Sequence, residues 1–357
     1  MLFSILIPVY NVERYLEECL TSVLSQDFDD YEIVLIDDGS TDLSGKICDD
    51  FKKEHMGLCT VKHKKNEGLL AARRDAFLLA RGEYCICLDS DDYLSEGALS
   101  HLADMISQYH SDFILYDLYM IASNGKSQNI NKDLELLTEN YVYSDTQILK
   151  DSLLDLSYNN WSMAAKCIKT SIAKTGFDFQ PYYDVSYGED TIQSIILYNE
   201  ASTFVYTSRR LYNYRLESGM TKKSSLKYIE DFYKIAQLMK SVCIDWSDNI
   251  DKKINMFYSL KIYQFGVNTG NSICSFMKYR LLLKEITNKK EVTAILFDSV
   301  KNFKLKHNCK ERIILELILK RCYLILYSAI KMYGFIMWCI EKLNCRVKAT
   351  KHNISIC

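Results

Sequence analysis

Near-continuous apolar runs cover residues 3–9, 31–36 and 84–88, and each ends abruptly in polar or acidic residues. Runs of this length without helical periodicity predict strands buried on both faces of a parallel sheet. Between them the period changes. Val12, Tyr15, Leu16, Cys19, Leu20, Val23 and Leu24 recur at helical spacing, which predicts a helix from about residue 12 with one buried face. Helices over 43–54, capped by Thr41, over 69–80 and over 96–109 follow the same logic, with further strands over 58–63 and 112–118. Strand and helix thus alternate at roughly 25–30 residue intervals, the pattern of an α/β domain with a mostly parallel sheet and helices on both faces.

Beyond residue 118 the signal weakens. Residues 121–142 are polar and weakly periodic and read as a long loop or small insertion. A helix over 145–155, the segment 161–179, an amphipathic helix from Tyr187 toward Glu200 and a short strand over 203–207 complete the first domain. After about residue 222 only helical patterns remain, so the boundary is set there, giving domains 1–221 and 222–357. Pro8, one of only two prolines, falls at the end of the first strand, where it costs no interior hydrogen bond.

Composition changes this picture in three places. The chain of 357 residues is ordinary for a globular protein, 48% hydrophobic and 25% charged, and long enough for about two domains. Its net charge of −2 hides an asymmetry: residues 301–357 hold twelve Lys and Arg against three Glu, leaving −11 on the first 300. That basic end suits an anionic surface, either a membrane or an acidic partner. Residues 322–340 carry a single charge, Lys331, flanked by Lys310, Arg312, Lys320, Arg321, Lys342, Arg346 and Lys348. An ion at the centre favours a helix lying in a membrane interface over one spanning it, with a core helix of the C-terminal region as the alternative. Thirteen scattered cysteines with no CxxC pair imply a reducing compartment rather than a disulfide framework or a zinc site. The first residues enter a strand at once with no basic n-region, which is not the pattern of a signal peptide.

The candidate chemistry lies where strands end. Tyr84-Cys85-Ile86-Cys87-Leu88 runs into Asp89-Ser90-Asp91-Asp92, three carboxylates in four residues. The C-terminal edge of a parallel sheet is where such folds bind ligands, and crowded carboxylates call for a cation between them. Hard oxygen ligands beside a phosphate imply Mg²⁺ or Mn²⁺. A polar turn capping the helix from Glu96 is the structural alternative. Asp37-Asp38-Gly39-Ser40-Thr41-Asp42 and Asn66-Glu67-Gly68 repeat the pattern of strand, polar turn and helix.

Pro8-Val9-Tyr10-Asn11, the Asp37–Asp42 turn, the turn from Asn66 to Arg73 and Asp89-Ser90-Asp91-Asp92 stand in order at successive strand ends. In this the chain resembles the family 2 glycosyltransferases with a GT-A fold, over about residues 1–215. The resemblance implies an inverting transferase using a nucleotide-diphosphate sugar, most often a UDP-sugar. It assigns Pro8, Tyr10, Asn11, Glu13, Asp38 and Arg73 to the nucleotide side, with Asp37 shaping the second turn. Asp89 falls to the ribose or sugar, Asp91 to the metal, and Asp92 to the metal or sugar. Arg215 in Tyr212-Asn213-Tyr214-Arg215 falls beside the diphosphate. Asp190 matches the base that takes the acceptor's proton, with Glu189 orienting the acceptor; a helix cap is the alternative for both. Trp161 is a candidate to stack on an acceptor sugar or to pack as core. Glu67 and Arg74 depart from the family pattern.

These residues imply a cytoplasmic enzyme of bacterial surface-polysaccharide synthesis, peripheral at the inner face of the cell membrane. Its expected acceptor is a saccharide, with an undecaprenyl-diphosphate-linked one among the candidates. A nucleotidyltransferase would carry a glycine-rich basic turn after the first strand, which is absent; a sugar-nucleotide binding scaffold would lack the acid pairs, which are present. Nucleic acid is not an expected partner, because the catalytic half is acidic and the basic end is interleaved with aliphatics.

Overall fold

The computed structural model describes residues 1–122, 127–129, 137–155, 161–175, 184–216, 225–272, 276–302, 314, 317–319, 326 and 330. The chain divides into two compact units, Met1–Lys223 with Gln237–Ile250, and Ser224–Ala236 with Asp251–Cys357. In the first, strands β1 (Phe3–Val9) and β2 (Tyr31–Asp37) are buried at all seven positions each. They pair in parallel from Phe3 opposite Tyr31 to Val9 opposite Asp37. The apolar runs therefore form the heart of the sheet. β3 (Cys59–His63) lies parallel outside β2, and β4 (Tyr84–Cys87) parallel on the other side of β1.

Two features tie this core together. Gly82 stands where a side chain has no room: an added Cβ would lie 2.5 Å from the carbonyl carbon of Phe3. Beside it, buried Glu32 accepts from the hydroxyl of Ser4 at 2.7 Å and from the Arg81 guanidinium at 2.6 and 2.8 Å. At the opposite edge Gly39, at φ +78°, makes the tight turn after β2, and any Cβ there would meet the amide nitrogen of Asn66 at 2.8 Å.

The full order is β3-β2-β1-β4-β9-β6-β10-β5. β9 (Lys166–Lys169) inserts antiparallel between β4 and β6 (Phe113–Ile121), in the middle of the sheet. The sequence pattern missed it, because a four-residue Lys-Cys-Ile-Lys strand has no periodicity of its own. β10 (Phe204–Arg215) runs parallel to β6 as one twelve-residue strand with register shifts between Thr207 and Tyr212, where a short strand and a separate segment were expected. β5 (Tyr93–Leu94) pairs antiparallel with its end. The sheet is thus mixed with a mostly parallel frame. The expected loop over 121–142 contains two short strands, β7 (Ser127–Asn129) and β8 (Val142–Tyr143), and residues 130–136 lie outside the described residues.

Helices α1 (Leu16–Leu24), α2 (Ser44–Glu54), α3 (Leu69–Leu79), α4 (Ala98–Tyr109), α5 (Gln147–Asp155), α6 (Thr170–Lys174) and α7 (Glu189–Glu200) cover the sheet. α1 begins four residues later than its periodicity suggests, because Asn11 takes a left-handed φ of 51° and the chain turns through Tyr15 first. Nor does Thr41 cap α2. Its hydroxyl bonds Asn11, and Asp42 accepts from the amide of Ser44 at 2.9 Å instead.

α8 (Leu226–Val242) crosses the division between the units. Its last turns and Trp246 belong with the first unit. There Trp246 is buried, its carbonyl accepts from Gln147 at 3.0 Å, and Asn199 donates to the carbonyl of Val242 at 3.0 Å. In the second unit α9 (Ile250–Ser272), α10 (Phe276–Asn288) and α11 (Lys290–Asn302) contribute a core including Ile254, Phe257, Tyr258, Ile286, Val292 and Leu296. No helix among the described residues is long and apolar enough to cross a membrane. The 322–340 run falls almost entirely outside the described residues.

Candidate active site

The three acids after β4 point to three different tasks. Asp92 turns inward and is 1% exposed; it accepts from the backbone amide of Arg215 at 2.7 Å and from the hydroxyl of Tyr212 at 2.8 Å. Burial, with Asp91 and Asp89 adding repulsion, pushes its carboxyl up to about 8. With both oxygens committed, Asp92, expected at the metal or sugar, fastens the turn to β10. The same Tyr212 hydroxyl accepts from the amide of Asp89 at 3.1 Å. Asp89 and Asp91 remain partly exposed at the turn's outer side. The turn is no helix cap: β5 intervenes, and α4 starts from a left-handed Gly97.

Asp89 leads to the most connected side chain in the site. Arg73, on α3, is 1% exposed, and its guanidinium donates to Asp89 Oδ1 at 2.7 Å, to Asp190 Oδ1 in a very short contact and to Gln193 Oε1 at 3.2 Å. Asp89 comes from the end of β4, Asp190 and Gln193 from the first turns of α7. One buried cation thus gathers three elements. Arg73, expected on the nucleotide side, lies enclosed between two carboxylates. Glu189, beside Asp190 at the start of α7, is raised by burial first and by the neighbouring Asp190 charge second. The N-cap of α7 is a left-handed Gly188 with no side-chain cap, and both acids lie in the first turn, where they also complement the helix dipole.

Arg215 stands on the other flank of the acid turn. Its guanidinium pairs with Glu18 at 2.6 Å, donates to the carbonyl of Asp91 at 3.2 Å, and lies 5.1 and 4.9 Å from the ring centres of Tyr15 and Tyr93. Stacking and pairing hold its plane in place next to Asp91.

The turns after β1 and β2 are laced to each other. Asn11 accepts from the amide of Thr41 at 2.8 Å and its own amide donates to Ser40 at 3.1 Å; Glu13 accepts from the amide of Leu43 at 2.8 Å. Pro8 is buried inside β1, while Tyr10 at the turn is 45% exposed. Buried Asp38 receives the amides of Glu67 and Gly68 at 2.9 and 2.8 Å, which draws the third turn toward the second. Burial raises its carboxyl despite those donors. Asp37 behaves oppositely. Burial pushes it up, but donors from Ser40 and His63, the latter at 2.8 Å, hold it below the usual range. Tyr10, Asn11 and Glu13 are all exposed at the β1 end, but Asn11 and Glu13, like buried Asp38, are engaged in shaping the turns. The two family departures make pairs of their own, Glu67 with Lys64 at 2.5 Å and Arg74 with Asp75 at 3.2 Å.

Four residues were not singled out from the sequence, or only as neighbours. Gln193 is one helical turn beyond Asp190, a spacing that places both on one face. Tyr212 and Tyr214 precede Arg215, and Tyr214 is raised to about 12 by burial and by the surrounding Asp92, Asp89, Asp91 and Asp190. Lys166, on the strand the sequence pattern missed, is fully buried; its ammonium donates to the carbonyl of Ser162 at 2.6 Å, and burial lowers it to about 7 against the pull of Asp190. Trp161 is half-buried and its carbonyl accepts from Ser194 at 2.7 Å.

Among the described residues no group of three or more His, Cys, Asp or Glu converges as a metal site. Asp91 is a partly exposed hard-oxygen donor, and it fits a divalent ion that completes its shell with phosphate oxygens, the usual arrangement for Mg²⁺.

A family model described as glycosyl transferase family 2 matches residues 4–166. Glycosyltransferase GlyG of Streptococcus pneumoniae serotype 4 is 28% identical over 247 residues, 68% of this chain and 81% of the relative. Glycosyltransferase GlyA of the same organism is 29% identical over 220 residues, 60% of this chain, but the match spans only 31% of that longer protein. The crystal structure of Staphylococcus aureus TarS 1–349 superposes with a TM-score of 0.64 at 19% identity, covering 94% of this chain and 91% of TarS 1–349. A second TarS structure, in complex with UDP-GlcNAc, gives 0.63. The acid turn after β4, the laced turns after β1 and β2 and this GT-A fold agree with the matched segment: over residues 4–166 the chain matches the glycosyl transferase family 2 domain.

Proposed function

We propose that the protein transfers a sugar from a UDP-sugar to a hydroxyl of a saccharide acceptor, with inversion at the anomeric carbon. The observation that carries this is the convergence of Asp89, from the end of β4, and Asp190, from the start of α7, on one guanidinium. It brings the turn expected to face the donor and the residue expected to serve as base into one place. Support from outside the chain lies in the relatives: TarS binds UDP-GlcNAc, and a relative 36% identical over 163 residues is a poly(ribitol-phosphate) beta-glucosyltransferase.

In this mechanism the acceptor hydroxyl loses its proton to Asp190 as its oxygen bonds the anomeric carbon, and the bond from that carbon to the diphosphate breaks from the opposite face. UDP leaves as an anion. Arg215, stacked and close to Asp91, supplies positive charge there. A divalent ion, Mn²⁺ or Mg²⁺, held by Asp91 would neutralise the departing diphosphate. In this reading Tyr10 stacks on the base and Glu189 holds the acceptor.

A lipid-linked acceptor and a place at the inner membrane face follow from the basic, apolar C-terminal stretch read in the sequence. The test of the function is release of UDP from a panel of UDP-sugars with Mn²⁺ or Mg²⁺, beside GDP-, dTDP- and CMP-sugars. Slow metal-dependent release from one UDP-sugar is expected. No release together with no UDP binding would reject transfer from UDP-sugars.

A further inference from the structure

Arg73 is built as a bracket. Its side chain extends from α3 to a position 1% exposed, where solvent cannot screen it, and it bonds carboxylates supplied by residues 16 and 117 positions away in the chain. A guanidinium does not lose its proton in a protein, so this charge is fixed. Burying it is tolerable only while its partners are ionised and in place. Two of its amino groups are occupied by Asp89 and Asp190, and Gln193, on the same face of α7 as Asp190, shares the second. Its Nε is buried with no hydrogen-bond partner among the described residues. A buried donor is left unsatisfied where the fork is aimed to suit the two carboxylates rather than to satisfy itself.

Consequences follow for both ends. Asp190 gives Oδ1 to the guanidinium and is still 23% exposed, so the carboxylate is anchored without being closed off. Asp89, 24% exposed, is fixed by the same cation in the turn that carries Asp91.

We infer that Arg73 is a positioning residue for the transfer: it aligns Asp190 with the donor-side turn, and acts on the reaction only through those carboxylates. This rests on the role proposed for Asp190 above, and the test separates the two.

With the full chain and the UDP-sugar that the donor panel identifies, UDP release and UDP binding are measured for Arg73→Met, Arg73→Lys and Asp190→Asn. Arg73→Met is expected to lower kcat about 100-fold while the Kd for UDP stays within about threefold. Arg73→Lys keeps the charge but cannot fork; kcat is expected to remain about tenfold low, recovering part of the loss, again with UDP affinity kept. Should Arg73→Met fail to fold, Arg73→Lys carries the same test. An unchanged kcat in a folded variant overturns the inference, and so does a UDP affinity weakened tenfold or more, which would put Arg73 on the diphosphate. Full activity in Asp190→Asn would instead reject the role of Asp190 itself.

Discussion

The hydroxyl of Tyr212 donates to Asp92 at 2.8 Å while accepting the amide of Asp89 at 3.1 Å, so one buried oxygen joins two acids of the same turn to β10. Tyr212→Phe removes that oxygen and leaves a buried carboxylate and a backbone amide without it. The expected cost is about 1–3 kcal/mol. A thermal melt should show it, and UDP release should fall with it because the turn loses its anchor.

The core brace at the opposite sheet edge makes a separate prediction. Glu32 is 1% exposed and takes bonds from Ser4 and Arg81. Glu32→Ala should destabilise by about 1–3 kcal/mol, because it leaves the buried Ser4 hydroxyl without its acceptor while the mostly exposed Arg81 returns to solvent, measured by urea unfolding. Burial pushes the Glu32 carboxyl up, but those donors outweigh it and hold it low. Its contribution is therefore present above the ordinary glutamate range and lost as pH falls through the depressed folded value.

His63 gives the opposite sign. Bonded to Asp37 at 2.8 Å and Asp49 at 3.1 Å, it is raised by Asp37 first. Stability from this pairing is complete below 6.5, the ordinary histidine value, and fades as pH rises through the raised folded value. His63→Gln should flatten that part of the melting temperature against pH curve. The effect is small, because the imidazole is 45% exposed.

Metal dependence has its own measurement. Chelation should stop UDP release and added Mn²⁺ or Mg²⁺ restore it, while Asp91→Ala should lower release about 100-fold or more and weaken the response to metal. Release unaffected by chelator and by Asp91→Ala would remove the ion from the mechanism.

Much of this was legible in the residues. The apolar runs at 3–9, 31–36 and 84–88 could only be buried strands, and acids clustered at their ends marked the functional edge. The direction of each acid was not legible. Asp91 and Asp92 are neighbours in one turn, yet Asp92 goes inward because Tyr212 and the Arg215 amide wait there, and those partners are more than a hundred residues away. The partners of Arg73 were not legible for the same reason: its bond to Asp190 forms only once α7 is folded against α3. β9 escaped because Lys-Cys-Ile-Lys becomes a strand only through the ladders of β4 and β6 on either side.

The most direct test of single displacement at Asp190 is the anomer first released. From the α-linked UDP-sugar the enzyme hydrolyses, ¹H NMR at early times, before mutarotation, should show the β anomer, and Asp190→Asn should slow its appearance by about 100-fold or more. The α anomer appearing first, or an undiminished rate in Asp190→Asn, would contradict inversion driven by that carboxylate.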